Sequence, residues 1–204
     1  MAKQDQSTMI DITDAPDIWS RCFMVHSLVI IGSREANSAY NLAPKHMAMP
    51  LGFGNYFGFM GTPRKKTYEN VKREKAFTVS YPQPHQLVLS SLSASRREKD
   101  DTKPIIEKIP TVDARRIDGK FLKDSYFQLE CELSQTVGKF GEWELVVGEI
   151  VAAYVHKNAH RDEAKDKEDS KLIENHPLLA YLHPDRFSIV KESHNFPLPK
   201  DFKR

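Results

Sequence analysis

Three consecutive cations, Arg64, Lys65 and Lys66, stand in the stretch GTPRKKTYENVKR, residues 61–73, where a helix is expected to begin. The Gly61-Thr62-Pro63 triplet closes an apolar run, and residues 67–73 take on helical character. A helix N-terminus carries partial positive charge, so cations there are disfavoured by about 0.3–1 kcal/mol each at the surface. The placement is locally unfavourable unless an anion is bound. With the Thr67 hydroxyl and the first free N–H groups of the helix, the three cations make a set suited to a phosphate monoester. The bland alternative is a solvated basic turn, because Lys/Arg runs are common on surfaces.

Two earlier stretches bear on that choice. A predicted strand over 23–32 ends in Ser33-Arg34, and the next begins NLAPKHMAMP, residues 41–50. Asn41 can bond a ligand edge there, while Ala43 and Pro44 leave backbone accessible. No G-x-G-x-x-G is present, which disfavours a dinucleotide-binding Rossmann unit.

These residues need elements to hold them. The chain has 204 residues with 40% hydrophobic content, enough to bury a core and most simply read as one domain. Strands are expected over 23–32, 41–49, 56–60 and 76–81, with helices over 66–74 and 86–94 and a solvated loop over 95–103. The clearest strand is YFQLECELS. Its Phe127, Leu129, Cys131 and Leu133 alternate toward a core, and Gln128, Glu130, Glu132 and Ser134 toward water. A turn over 137–141 and a strand over 145–155 complete a long antiparallel hairpin. Residues 1–15 read as a loose arm, Asp14 and Pro16 as start signals for a helical turn reaching Cys22, and 160–170 as an exposed charge run. Short pieces follow over 177–182 and 186–190. Several strands, an antiparallel hairpin and few helices point to a closed, mainly β architecture with minor α content.

Thirty basic against 28 acidic residues is too balanced for a nucleic-acid or membrane-surface protein. Two cysteines without C-x-x-C spacing fit a reducing cytoplasm, the N-terminus does not read as a signal peptide, and no apolar run reaches a membrane span.

Taken in order, the strand ending in Ser-Arg, the NLAP segment and the basic turn running into K-T-Y-E-N resemble the flavin reductase-like family, FMN-binding split β-barrel flavoproteins. In that family, Ser/Thr-Arg is followed by N-[LI]-A-P-[FY]-S and then by K-D-T-x-x-N-I at a helix start. The matching residues are Ser33-Arg34, Asn41-Leu42-Ala43-Pro44 and Lys65-Lys66-Thr67 with Asn70-Val71. LVVGEIVAAYVH, residues 145–156, looks like the family's G-E-V-V-x-V-H-V strand, so the likeness runs over about 20–156, with 157–204 as a C-terminal extension. The chain departs from the family pattern where Lys45-His46 replaces Phe-Ser and Lys66 replaces Asp.

The resemblance implies a Greek-key antiparallel barrel that binds FMN, in preference to FAD, through Ser33, Arg34, Asn41, Ala43, Pro44, Lys45, His46, Arg64, Lys65, Lys66, Thr67 and Asn70. It further implies a homodimer and an oxidoreductase in which NAD(P)H passes hydride to flavin, with an electron acceptor, which could be a protein, not identified. A cation near flavin N1 would favour the anionic reduced form, and Lys45 and His46 are the candidates. Hydride transfer requires no side-chain acid or base, so no catalytic residue is expected. The alternatives are an FMN-binding electron carrier or storage module without nicotinamide activity, and a barrel whose basic turn binds another phosphorylated ligand.

The remaining features carry blander expectations. His156-x-x-x-His160 has helical metal spacing, but His156 is expected to end a strand and no third ligand is defined, so no metal is expected. His176 and His183 read as loop or interface residues. Trp19, Trp143, Phe53, Tyr56, Phe57 and Phe59 read as core, as do Cys22 and Cys131.

Overall fold

The computed structural model describes residues 8–161 and 169–199. Its strands are β1 (Met24–Ser27), β2 (Val29–Arg34), β3 (Tyr40–Lys45), β4 (Ala48–Pro50), β5 (Tyr56–Gly61), β6 (Ala76–Tyr81), β7 (Thr111–Asp113), β8 (Lys120–Leu122), β9 (Phe127–Phe140), β10 (Trp143–Val155), β11 (Leu178–His183) and β12 (Arg186–Val190). The helices are α1 (Lys66–Glu74), α2 (Leu87–Leu92) and α3 (Asp169–Asn175), with 3-10 turns at Ile18–Arg21, Pro84–Gln86 and Pro104–Lys108.

Seven strands form one antiparallel sheet in the order β3-β2-β6-β9-β10-β5-β4. Its two edge strands each contain a proline, Pro44 and Pro50, tolerated there because an edge has ladder positions that need no N–H donor. The sheet is curled: Val29 and Ile31 of β2 share one core cluster with Phe57 and Phe59 of β5, four places away, together with Phe77, Val79, Leu129, Cys131 and Val146. Tyr68 and Val71 of α1 join that cluster and plug the curl. Gly148 is required where the core is tightest, since a Cβ there would lie 2.5 Å from the Phe77 ring. On the other face of β2 and β3, Ile30 and Leu42 pack with Ile109, Leu122, Leu89 and Ile106. Burial on both faces explains the uninterrupted apolar run at the start of β2. This is the split β-barrel expected from the resemblance. Its closure is incomplete, because β3 and β4 are edges linked through His46-Met47, with the Met60 N–H donating to the Met47 carbonyl at 2.9 Å.

Several local expectations are corrected. Residues 23–32 are not one strand: the chain breaks at Leu28, and β1 leaves the barrel to pair with β11 in a sheet of order β1-β11-β12. Residues 41–49 likewise break at His46-Met47, where the chain crosses between the sheet edges. The β9–β10 hairpin extends through the expected turn to Phe140 and reverses at Gly141, whose φ of 63° suits glycine. Glu130 is fully buried rather than wet. Its carboxylate accepts the N–H groups of Arg115, Arg116 and Ile117 at 2.9, 2.7 and 2.9 Å and the Tyr154 hydroxyl at 2.9 Å. Phe57 and Phe59 are core, but Phe53 and Trp19 are exposed, and Cys22 is exposed while Cys131 is buried. The charge run over 160–170 falls mostly outside the described residues, as do the first seven residues of the N-terminal arm. No helix among the described residues is long and apolar enough to cross a membrane.

Candidate functional site

The start of α1 is bolted to the β2–β3 hairpin by a buried polar network. Asn41 Nδ2 donates to Thr67 Oγ1 at 3.1 Å, and Asn70 Nδ2 donates to Ser33 Oγ at 3.1 Å. Arg73 then donates to Asn70 Oδ1 at 3.1 Å and to the Arg34 carbonyl at 2.7 Å. Ser33, Asn41, Thr67 and Asn70 are all buried, so these polar groups chiefly satisfy one another. Their chemistry is positional: they hold the helix N-terminus against the Ala43-Pro44-Lys45 end of β3. A residue not singled out in the sequence, Lys103, supports the same strand. Its Nζ donates to the Ser93 carbonyl at 2.6 Å, the Leu42 carbonyl at 3.0 Å and Asn41 Oδ1 at 3.4 Å. Burial, aided by Arg97, lowers its pKa to about 8. Within a polar stretch of sequence, nothing marked this lysine as internal.

The cations of the opening stretch divide. Arg64 pairs with Glu142 at the tip of the β9–β10 hairpin, and Lys66 pairs with Asp101 at 2.6 Å and Glu69 at 3.6 Å. The Asp101 hydrogen bond raises the Lys66 pKa. Arg34 lies away from the triplet, between Glu74 at 3.6 Å and Asp118 at 3.0 Å. Lys65 is the N-cap of α1; it is exposed and makes no side-chain cap hydrogen bond. Lys45, at the end of β3, is half-buried, and its pKa is lowered by desolvation and then by the charge of Lys65. Among the described residues neither Lys45 nor Lys65 has a carboxylate partner. Two mutually repelling ammonium groups beside an uncapped helix start are an arrangement that an anion would relieve.

A cavity of about 400 Å³ adjoins this corner, between the end of β3, α2 and the β11–β12 hairpin. Pro44, Lys45, His46, Ser90 and Tyr181 line it. Ser90 is buried, and its Oγ has no hydrogen-bond partner. His46 stacks on Tyr181 with ring centroids 4.7 Å apart and on His183 at 5.3 Å, and meets His26 edge-on at 5.4 Å. Burial lowers its pKa to about 4, with further contributions from His26, His183 and Lys45 and a smaller opposing one from Asp185. His46 is therefore uncharged at neutral pH, which leaves Lys45 as the cation of the Lys45-His46 pair. No group of three or more His, Cys, Asp or Glu among the described residues could hold a metal ion.

The flavin reductase like domain model matches residues 20–186. The chain belongs to the flavin reductase like family. The match runs beyond residue 156 to take in β11, the strand that pairs with β1 and carries Tyr181 and His183. No curated protein matches the chain. Solved structures that share the fold include a candidate flavin reductase with a split barrel domain from Shewanella frigidimarina, at TM-score 0.75 and 19% identity over 97% of this chain and 98% of that one. Nitrilotriacetate monooxygenase component B from Bacillus cereus superposes at TM-score 0.74 with 13% identity, over 97% and 98% of the two chains. Flavoredoxin from Methanosarcina acetivorans does so at 0.73 with 17% identity, over 94% and 96%.

Proposed function

We propose that this member of the flavin reductase like family is an FMN-binding oxidoreductase that takes hydride from NAD(P)H. The observation that carries the reading is the pair of unneutralised lysines beside the uncapped start of α1: Lys65 at its N-cap, and Lys45, which feels the charge of Lys65 and lines a cavity whose Ser90 hydroxyl lacks a partner. The phosphate of FMN carries between one and two negative charges near neutral pH and would be held by Lys45, Lys65 and the first N–H groups of α1. Arg64 and Lys66 flank that position but are already engaged with carboxylates. Ser33, Asn41, Thr67 and Asn70 fix the corner, and Ala43, Pro44 and His46 would bound the flat ring, with Ser90 offering it a hydroxyl. Bound FMN would supply the redox chemistry, accepting two electrons from the nicotinamide. The chain's own part is to bind and orient, to exclude water and to keep an uncharged imidazole next to the ring.

A homodimer in a reducing cytoplasm belongs to the same proposal. Phe23, Val25, Phe53 and Phe140 expose apolar surface that a second copy would cover, and both cysteines are free. The test is an absorbance scan of the purified protein and calorimetric titration with FMN, expected to give about one flavin per chain. Anaerobic mixing with NADH or NADPH should then bleach the flavin band. Absence of FMN binding in both spectrum and titration would overturn the reading. A flavin band that neither nicotinamide bleaches would leave an electron carrier or storage module instead.

A further inference from the structure

A second, larger cavity of about 790 Å³ lies on the other side of His46. Among the described residues His46 is the one that lines both cavities. The lining comes from distant parts of the chain. Trp19 belongs to the 3-10 turn, Met24 and His26 share one face of β1, and Met47 and Met49 come from the β3–β4 crossing and β4. Met60 of β5 sits opposite Leu145 of β10, next to Trp143. Four methionines and three aromatic side chains, Trp19, Phe140 and Trp143, form a polarizable lining suited to a flat ring. The polar groups gather on one wall, where His26, His46 and His183 are in ring contact and the buried His183 Nδ1 has no partner. Among the described residues Asp17 is the single carboxylate on the lining, and no lysine or arginine joins it. A phosphate-bearing nicotinamide finds no counter-charge here.

We propose that this cavity is the electron-acceptor site and that the acceptor is an uncharged aromatic quinone, with a carbonyl oxygen directed at the histidine wall. The proposal rests on the flavin reading above. Per turnover, one C4–H bond of NAD(P)H breaks and its hydrogen leaves as hydride, which supplies an electron pair and one proton; the pair reaches the quinone across the His46 wall. One further proton is drawn from solvent, and two O–H bonds form as the quinone ring becomes aromatic. NAD(P)H, H⁺ and quinone thus give NAD(P)⁺ and hydroquinone.

The chain's two tryptophans, Trp19 and Trp143, both line the cavity, so occupancy has a readout that needs neither flavin nor turnover. Menadione titrated into the flavin-free full-length chain is expected to quench tryptophan fluorescence saturably. 1,4-Naphthoquinone-2-sulfonate should bind at least tenfold more weakly, because its charge would be set against a largely apolar lining that offers no lysine or arginine among the described residues. Met49 is 57% exposed on an edge strand, so Met49→Glu should fold while placing a charge on the lining. That variant should lose at least tenfold in menadione affinity and show an equal rise in the menadione KM of NAD(P)H-driven turnover, with FMN affinity unchanged. Absence of saturable quenching, equal binding of the sulfonate, or a Met49→Glu chain that keeps both its menadione affinity and its KM would overturn the proposal while the flavin reading stands. A cavity filled by a second copy would give the first of these results. Failure of the FMN titration itself would overturn both.

Discussion

Lys45 and Lys65 are where the proposed anion site is tested at the level of single residues. A lysine without a carboxylate partner has its full charge to offer a phosphate, whereas Arg64 and Lys66 would first have to leave Glu142 and Asp101. Charge-assisted hydrogen bonds are worth about 1.5–3 kcal/mol, so Lys45→Met and Lys65→Ala should each weaken FMN about tenfold or more. Arg64→Ala should cost less than about threefold on the same argument. Riboflavin, which lacks the phosphate, should bind all three variants like the unaltered chain; calorimetric titration of both ligands at one salt concentration checks this. His46 gives a second expectation. Its folded pKa of about 4 lies below its ordinary 6.5, so the unfolded chain binds more protons between those values. The stability associated with its neutral form is complete above pH 6.5 and is lost as the pH falls toward 4. His46→Phe should flatten that part of the profile by about 1–2 kcal/mol after discounting for partial exposure, read from urea denaturation at successive pH values.

At the scale of elements, the barrel wall depends on a carboxylate that sequence alternation places in water. Glu130 projects from β9 into the segment 115–117 and satisfies three consecutive backbone N–H groups. Burial alone would raise its pKa, but those N–H groups and the Tyr154 hydroxyl together lower it. Its contribution is therefore present above the ordinary carboxylate pKa and lost as the solution is acidified below it. Glu130→Leu takes the acceptor from those three N–H groups and from the Tyr154 hydroxyl and is expected to destabilise the fold by about 3 kcal/mol or more, measured as a shift in the urea midpoint. FMN affinity should survive under native conditions, because the 115–117 segment does not line either cavity.

For the whole molecule, the exposed apolar residues raise the question of assembly. Phe53 is fully exposed, and Phe23, Val25 and Phe140 are each more than half exposed. The proposed homodimer would cover some of this apolar surface, so the oligomeric state tests it. Light scattering at micromolar concentration should report twice the 23.4 kDa chain mass. Phe53→Asp with Phe140→Lys should shift the population toward monomer. A monomeric unaltered chain that binds FMN would refute the dimer.

The sequence by itself determined several of the local elements and, through its motifs, the family. The 66–74 helix, β6 and the core alternation of β9 follow from periodicity and turn residues, and the NLAP and KKTYEN motifs carried the fold through resemblance, because such signals act over short distances along the chain. Tertiary structure decided everything that depends on which distant segments meet. The triplet of cations reads as one cluster, yet Asp101 and Glu142, 35 and 78 positions beyond Lys66 and Arg64, claim two of its members. Lys45 joins Lys65 only because β3 ends beside the start of α1. Glu130 looks solvent-facing until the 115–117 segment closes over it, and His46, His26 and His183 become neighbours only when β1 leaves the barrel for β11. Charge pairing and burial are pairwise properties in space, and a linear pattern records only one member of each pair.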